Sequence, residues 1–242
     1  MIDQLVLVRH GESAANVAAS AAERSGAETI DVAWRDADVP LTGEGRDQAA
    51  ALGAWWRDAG PTEGTVAWSS PYLRARETLA TGLHAAGLDV PARVDERLRD
   101  RELGVLDLLT RRGIAARHPE EEARRHRLGK WYHRPPGGES WVDVTLRLRS
   151  VLGDLLAEPD ATRAVVATHD VVVTLVTGLL LGLGEREVLE FATENPVPNA
   201  SVTTLERTAD GWRLVAFADV AHLDRRDAVV TEHGGDPDVQ PR

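Results

Sequence analysis

Apolar residues come along this chain in short bursts, and the spacing between them changes from segment to segment. Leu5-Val6-Leu7-Val8 is a continuous apolar run closed by Arg9-His10-Gly11, which predicts a buried strand that stops at a loop. Val66-Ala67-Trp68, Val90 to Val94 and Ala164 to Thr168 predict further short strands. Ser201 to Glu206 and Trp212 to Phe217 flank Ala209-Asp210-Gly211, the pattern of a hairpin. Helical spacing fills the intervals. A helix is expected from Ala14 to about Ala22. A second opens at Leu41-Thr42-Gly43 with Thr42 as N-cap, runs to about Ala59 and stops at Gly60-Pro61. A third runs from Tyr72 to about Ala86, with Pro71 at its start. Trp141 to Leu156 puts Val144, Leu148, Val151, Leu152 and Leu155 on one face, and Val171 to Leu181 is an apolar helix.

Ser25 to Val39 is mixed and polar and predicts a loop. Residues 105–139 are rich in Arg, His and Glu and end in Pro135-Pro136-Gly137-Gly138, which predicts a helical insertion and then a turn. His233 to Arg242 has the composition of a loose tail. Alternating strands and helices predict an α/β fold: one three-layer α/β/α domain over residues 1–232, with a mainly parallel central sheet and a helical cap insertion at about 105–139.

Composition narrows the function classes. A formal net charge of −11 argues against nonspecific nucleic-acid binding or an anionic membrane surface. The absence of cysteine removes disulfides, thiolate nucleophiles and zinc–thiolate sites. Leu5 to Val8 is too short for a signal h-region, and the apolar stretch around Val171 to Leu183 is broken by threonine and glycine. The expectation is a cytoplasmic protein. Lys130 is the only lysine, so the abundance of arginine is weak evidence for phosphate binding.

The chemistry concentrates at expected strand ends, where open α/β sheets bind ligands. His10 lies between Arg9 and Gly11, and a histidine there suits attack on an anionic group such as a phosphoryl. Arg74 falls in the first turn after Ser69-Ser70-Pro71, where guanidinium and helix N-terminus can face an anion. His169 ends the strand Ala164 to Thr168, and Asp100 and Glu102 offer acid/base carboxyls. Each has a plainer alternative. A lone histidine at a strand end is more often structural, Arg74 more often a surface residue, and Asp95 to Glu102 a solvated charged run. Their common placement at loop starts weakens those alternatives.

Arg9-His10-Gly11-Glu12-Ser13 with Asn16, Leu41-Thr42-Gly43 with Gln48-Ala49, Ser69 to Thr78, and Gly138-Glu139-Ser140 resemble the histidine phosphatase superfamily, which contains cofactor-dependent phosphoglycerate mutase and many phosphatases. The resemblance runs from about Gln4 to about His222, and its first and third segments are the specific ones. It implies a phosphohistidine on His10. Arg9, Arg74 and His169 would hold the phosphoryl oxygens with help from Asn16, and Gly11 and Ser13 would lie beside them. Asp100 takes the acid position, where many members have glutamate, and Glu102 is the fallback. Thr168-His169-Asp170 departs from the Ser-His-Gly common in the family. No metal and no cofactor are implied.

The insertion would then cover the pocket, with Tyr132, His133 and Arg134 as candidate substrate contacts. Its arginines suit an anionic or multiply phosphorylated substrate, or equally ion pairing with Glu120, Glu121 and Glu122 on exposed helices. The expected partner is a small phosphorylated metabolite, with no nucleic acid and no membrane. A homo-oligomer paired through the apolar hairpin edge is left open. Phosphomonoester hydrolysis is the favoured reading; phosphoglycerate mutase-type transfer and a catalytically silent phosphate-binding module are the alternatives.

Overall fold

The computed structural model describes residues 1–58 and 63–233. The expected stop at Gly60-Pro61 and residues 234–242 of the expected tail lie outside the described residues. Four parallel strands, β1 (Gln4–Arg9), β2 (Thr65–Ser69), β3 (Ala92–Val94) and β4 (Arg163–Thr168), and an antiparallel hairpin, β5 (Val202–Thr208) and β6 (Gly211–Asp219), form one mixed sheet. The strand order is β3-β2-β4-β1-β5-β6.

Strand pleating makes the two faces, because successive side chains point to opposite sides. Leu5, Leu7, Ala164 and Val166 enter one core with α6 (Trp141–Leu156) and α7 (Asp170–Leu181). Val6, Val8, Val165 and Ala167 enter the other with α2 (Gly43–Asp58) and α3 (Leu73–Ala86). The expected α/β/α layering follows from that alternation. All five apolar positions expected on one face of α6 are buried there.

Caps fix where the helices begin. Ser13 and Asn16 form a capping box at the start of α1 (Ala14–Ser25), and Ser140 and Asp143 form one on α6. Thr42 caps α2 as expected, accepting from the Gly45 N–H at 3.0 Å. The segment between β3 and α6 contains α4 (Arg111–Arg117) and α5 (Pro119–Tyr132), with a break at Gly129, whose φ is +72°. α8 (Glu185–Glu194) and the short α9 (Ala221–Asp224) were not legible in the apolar spacing.

Two expectations change. β3 is shorter than Val90 to Val94, and its three residues are exposed at the sheet edge. His233 is not loose: its Nε2 lies 2.9 Å from Glu12 Oε2 and its Nδ1 2.6 Å from Ser20 Oγ. The segment before it is tied to α2, where Gln48 Nε2 donates to Val229 O and Thr231 Oγ1 at 2.8 Å each.

Candidate active site

β1 and β4 are adjacent and parallel, with Arg9 opposite Thr168, so the residues that follow them, His10 and His169, emerge side by side. Their ring centroids are 5.2 Å apart, and both side chains are buried. The backbone holds His10 closely. Its N–H donates to Thr168 O at 2.9 Å, and its carbonyl accepts from Ala200 N and Asn199 Nδ2, each at 3.1 Å. Gly11 permits the next step of the loop. A Cβ there would lie 2.5 Å from the Gly45 carbonyl oxygen, so the loop packs directly on the first turn of α2.

The tautomer of His10 follows from its partners. Nδ1 lies 2.7 Å from Gly11 O, an acceptor only, so Nδ1 carries the proton. Nε2 therefore presents a lone pair, 3.3 Å from Arg74 Nε, which donates to it. Burial, and then the charges of Arg74, His169 and Arg9, hold the His10 pKa well below the usual imidazole value. The ring is neutral and nucleophilic at neutral pH.

His169 is oriented from behind. Ser70 Oγ accepts from Tyr72 N at 3.3 Å and lies 2.8 Å from His169 Nε2. The Asp100 carboxylate, an acceptor only, lies 3.2 Å from Nδ1 and favours the ring proton there, which leaves Nε2 to accept from the Ser70 hydroxyl. Burial lowers the His169 pKa, against the opposing pull of Asp100. His169 is also the N-cap of α7, so the positive end of that helix begins here.

Arg74 joins the carboxylates to the imidazoles. Its guanidinium donates to Asp36 O and Oδ1 at 2.7 and 2.8 Å and to Asp100 Oδ2 at 3.3 Å. It sits 4.9 Å from the centre of the Tyr72 ring. The Tyr72 hydroxyl donates to Glu102 Oε1 at 2.8 Å, and burial and then that carboxylate push its pKa up. Burial works against ionisation of Asp100, but His169 and Arg74 outweigh it and hold the carboxyl well below the usual range.

His10, Arg74, His169 and Asp100 thus meet in one cluster, with Glu102 one hydrogen bond away through Tyr72. Arg9 is buried beside His10, but its guanidinium donates to the carbonyls of Val197 and His233. Ser13 and Asn16 meet each other in the α1 cap, and Asn16 Oδ1 also accepts from Asn199. Tyr132 and Arg134 are drawn elsewhere. Arg134 pairs with Asp143 on α6, and Tyr132 faces Glu185 on α8, whose carboxylate raises its pKa. His133 is buried against Glu121. Arg117 and Arg124 pair with Glu28 and Glu121, and Arg112 donates to Gly26 O. Of the ion pairs expected with Glu120, Glu121 and Glu122, the one from Arg124 to Glu121 is formed.

Comparison with known proteins gives the fold a lineage. The model of the histidine phosphatase superfamily (branch 1) matches residues 5–220. The chain belongs to that superfamily. Within it, the chain is 30% identical over 224 residues to "Probable phosphoglycerate mutase GpmB" of Salmonella paratyphi C, covering 91% of this chain and 95% of that one. A solved mycobacterial glucosyl-3-phosphoglycerate phosphatase is 28% identical with a TM-score of 0.69, covering 90% of this chain and 99% of that one. The alpha-ribazole phosphatase of Shigella flexneri shares the fold at 19% identity and a TM-score of 0.71, covering 89% and 96% of the two chains.

Sequence reasoning missed four residues of this histidine phosphatase site. Ser70 and Tyr72 lay inside a motif already singled out, and a hydroxyl residue just after a strand end was a usable signal. Asp36 lay in a polar loop, and Asn199 in a proline-flanked loop without an assigned role. Neither carries a local mark, because each acts on a partner at least 38 positions away.

Proposed function

We propose that the protein is a phosphomonoester hydrolase that works through a phosphohistidine on His10. The observation that carries this reading is the orientation of His10. Its Nε2 is unprotonated, adjoins Arg74, and belongs to a ring whose centre is 5.2 Å from that of His169. His10 Nε2 attacks phosphorus, the P–O bond to the alcohol breaks, and a carboxyl proton goes to the leaving oxygen. The resulting carboxylate then takes a proton from water, the water oxygen attacks phosphorus, and the P–N bond breaks to release inorganic phosphate. Arg74, His169 and the start of α7 stabilise the charge on the transferring group; Arg9 contributes its charge from the side.

Asp100 is the proposed acid. Without substrate it takes the donors of Arg74 and His169. A bound phosphoryl dianion takes those donors instead and adds negative charge nearby. Both changes raise the proton affinity of Asp100 at the step that needs an acid. Hydrolysis rather than transfer between phosphoglycerates is supported by the likeness to the mycobacterial phosphatase, and the mutase reading by the name of the Salmonella relative.

The deciding experiment is turnover of an aryl phosphate with chelator present, in the wild type and in His10→Ala. The expected result is phosphate release in the wild type, its loss in the folded variant, and an acid-labile phosphoenzyme on rapid quench in the wild type alone. Undiminished turnover in His10→Ala would overturn the mechanism. A folded but inactive wild type, active only in primed phosphoglycerate exchange, would favour the mutase.

A further inference from the structure

We propose that the alcohol half of the substrate carries hydroxyl or ammonium groups and no second acidic group, an inference that rests on the phosphatase reading. The two sides of the site differ in charge. The phosphoryl side holds Arg74, Arg9 and His169, all three buried, with the His10 and His169 ring centres 5.2 Å apart. The leaving-group side lies around the acid candidates, and its polar groups are acceptors. Asp36 and Asp100 ride on the Arg74 guanidinium, and Glu102 accepts from the Tyr72 hydroxyl. Asp107 is exposed nearby, its pKa raised by burial and then by Asp36 and Glu102, and lowered by Arg74.

The other cations near these carboxylates are shared with, or held more closely by, other partners. Arg99 pairs with Glu139 at 2.7 Å and with Glu102 at 3.7 Å. Arg147 is divided between Glu139 and the carbonyls of Arg97 and Asp100. Arg101 Nε donates to Glu139 O at 2.7 Å, and Arg134 pairs with Asp143.

A bound phosphoryl group uses the charge of Arg74 and leaves Asp36 less neutralised. An alcohol bearing a carboxylate or a second phosphate would then enter a field of its own sign. Hydroxyl and ammonium groups would instead donate to the free lone pairs of Asp36, Glu102 and Asp107. The side chains of Asp36 and Glu102 are 38% and 47% exposed, so those lone pairs are within reach of a ligand.

Glycerol 3-phosphate and 3-phosphoglycerate test this directly, because they differ only in a hydroxymethyl group against a carboxylate. The measurement is kcat/KM for each at neutral pH, beside an aryl phosphate, in low and high salt and in Asp107→Asn. Asparagine can keep the hydrogen bond that Asp107 Oδ1 accepts from the Leu108 N–H at 3.0 Å. The expected preference for glycerol 3-phosphate is about tenfold or more in low salt. It should narrow by about threefold in Asp107→Asn and in high salt. A wild-type ratio near one, or reversed, overturns the inference while leaving the phosphatase reading intact. So does a preference that neither the substitution nor salt moves, since charge would not then be its origin. Failure to turn over the aryl phosphate removes the phosphatase reading, and this inference with it.

Discussion

Two neutral imidazoles and one charged guanidinium make the candidate site at the scale of single residues, and only the structure shows which partner holds each. Gly11 O fixes the His10 tautomer, and Asp100 and Ser70 orient His169. The acid assignment can be tested here. Asp100→Asn is expected to slow hydrolysis of an alkyl phosphate by about 100-fold or more, while an aryl phosphate with a good leaving group slows far less. Rates across a series of leaving-group pKa values read the difference. If Glu102→Gln produces the steeper dependence, Glu102 is the acid. The motif residues His10, Arg74 and His169 were legible because each ends a strand or starts a helix. Tyr132 and Arg134, expected as substrate contacts, meet Glu185 and Asp143 on neighbouring helices, which the sequence did not show. A sequence shows that an arginine is present but not which carboxylate reaches it first.

At the scale of elements, the site is made where strands pass into helices. β1 leads through Gly11 into α1, β2 into α3, and β4 through His169 into α7. One tight joint is between Gly11 and α2. Gly11→Ala is expected to cost about 2 kcal/mol or more and to reduce activity, because the added Cβ meets the Gly45 backbone and not a movable side chain. Gly153→Ala is the matched control. Gly153 lies on the exposed face of α6 with nothing within 4 Å of its Cβ position, so this change should stabilise by about 0.5–1 kcal/mol. Urea midpoints of the two variants should move in opposite directions. The strands and long helices were legible here, since period-2 and period-3.6 burial is written locally. α8 and the edges of β3 were not, since short polar segments take their form from what they pack on.

At the scale of the whole molecule, burial of histidines ties folding to pH. His222, on α9, is buried, and neither ring nitrogen has an aligned hydrogen bond. Burial lowers its pKa to about 4 from the usual 6.5. The unfolded chain therefore binds a proton there before the folded one does. This contribution to stability is complete above pH 6.5 and is lost as pH falls toward 4. The full loss is up to about 3 kcal/mol, with about 2 kcal/mol gone by pH 5. His222→Leu should remove it: between pH 7 and pH 5 the wild type should lose about 2 kcal/mol more than the variant, read from urea unfolding at each pH.

The sequence by itself determined the alternation of strands and helices, the cap of α2, and the placement of two histidines, His10 and His169, at strand ends. Each depends on neighbours within a few positions. Only the tertiary structure decided which surfaces meet. The order β3-β2-β4-β1-β5 puts His10 beside His169, and the long loops bring Asp36 and Asn199 to Arg74 and His10. Local periodicity records that a face is buried, but not against what. The ionisation of a buried group depends on the charges brought within a few ångströms of it, and chain topology selects those charges.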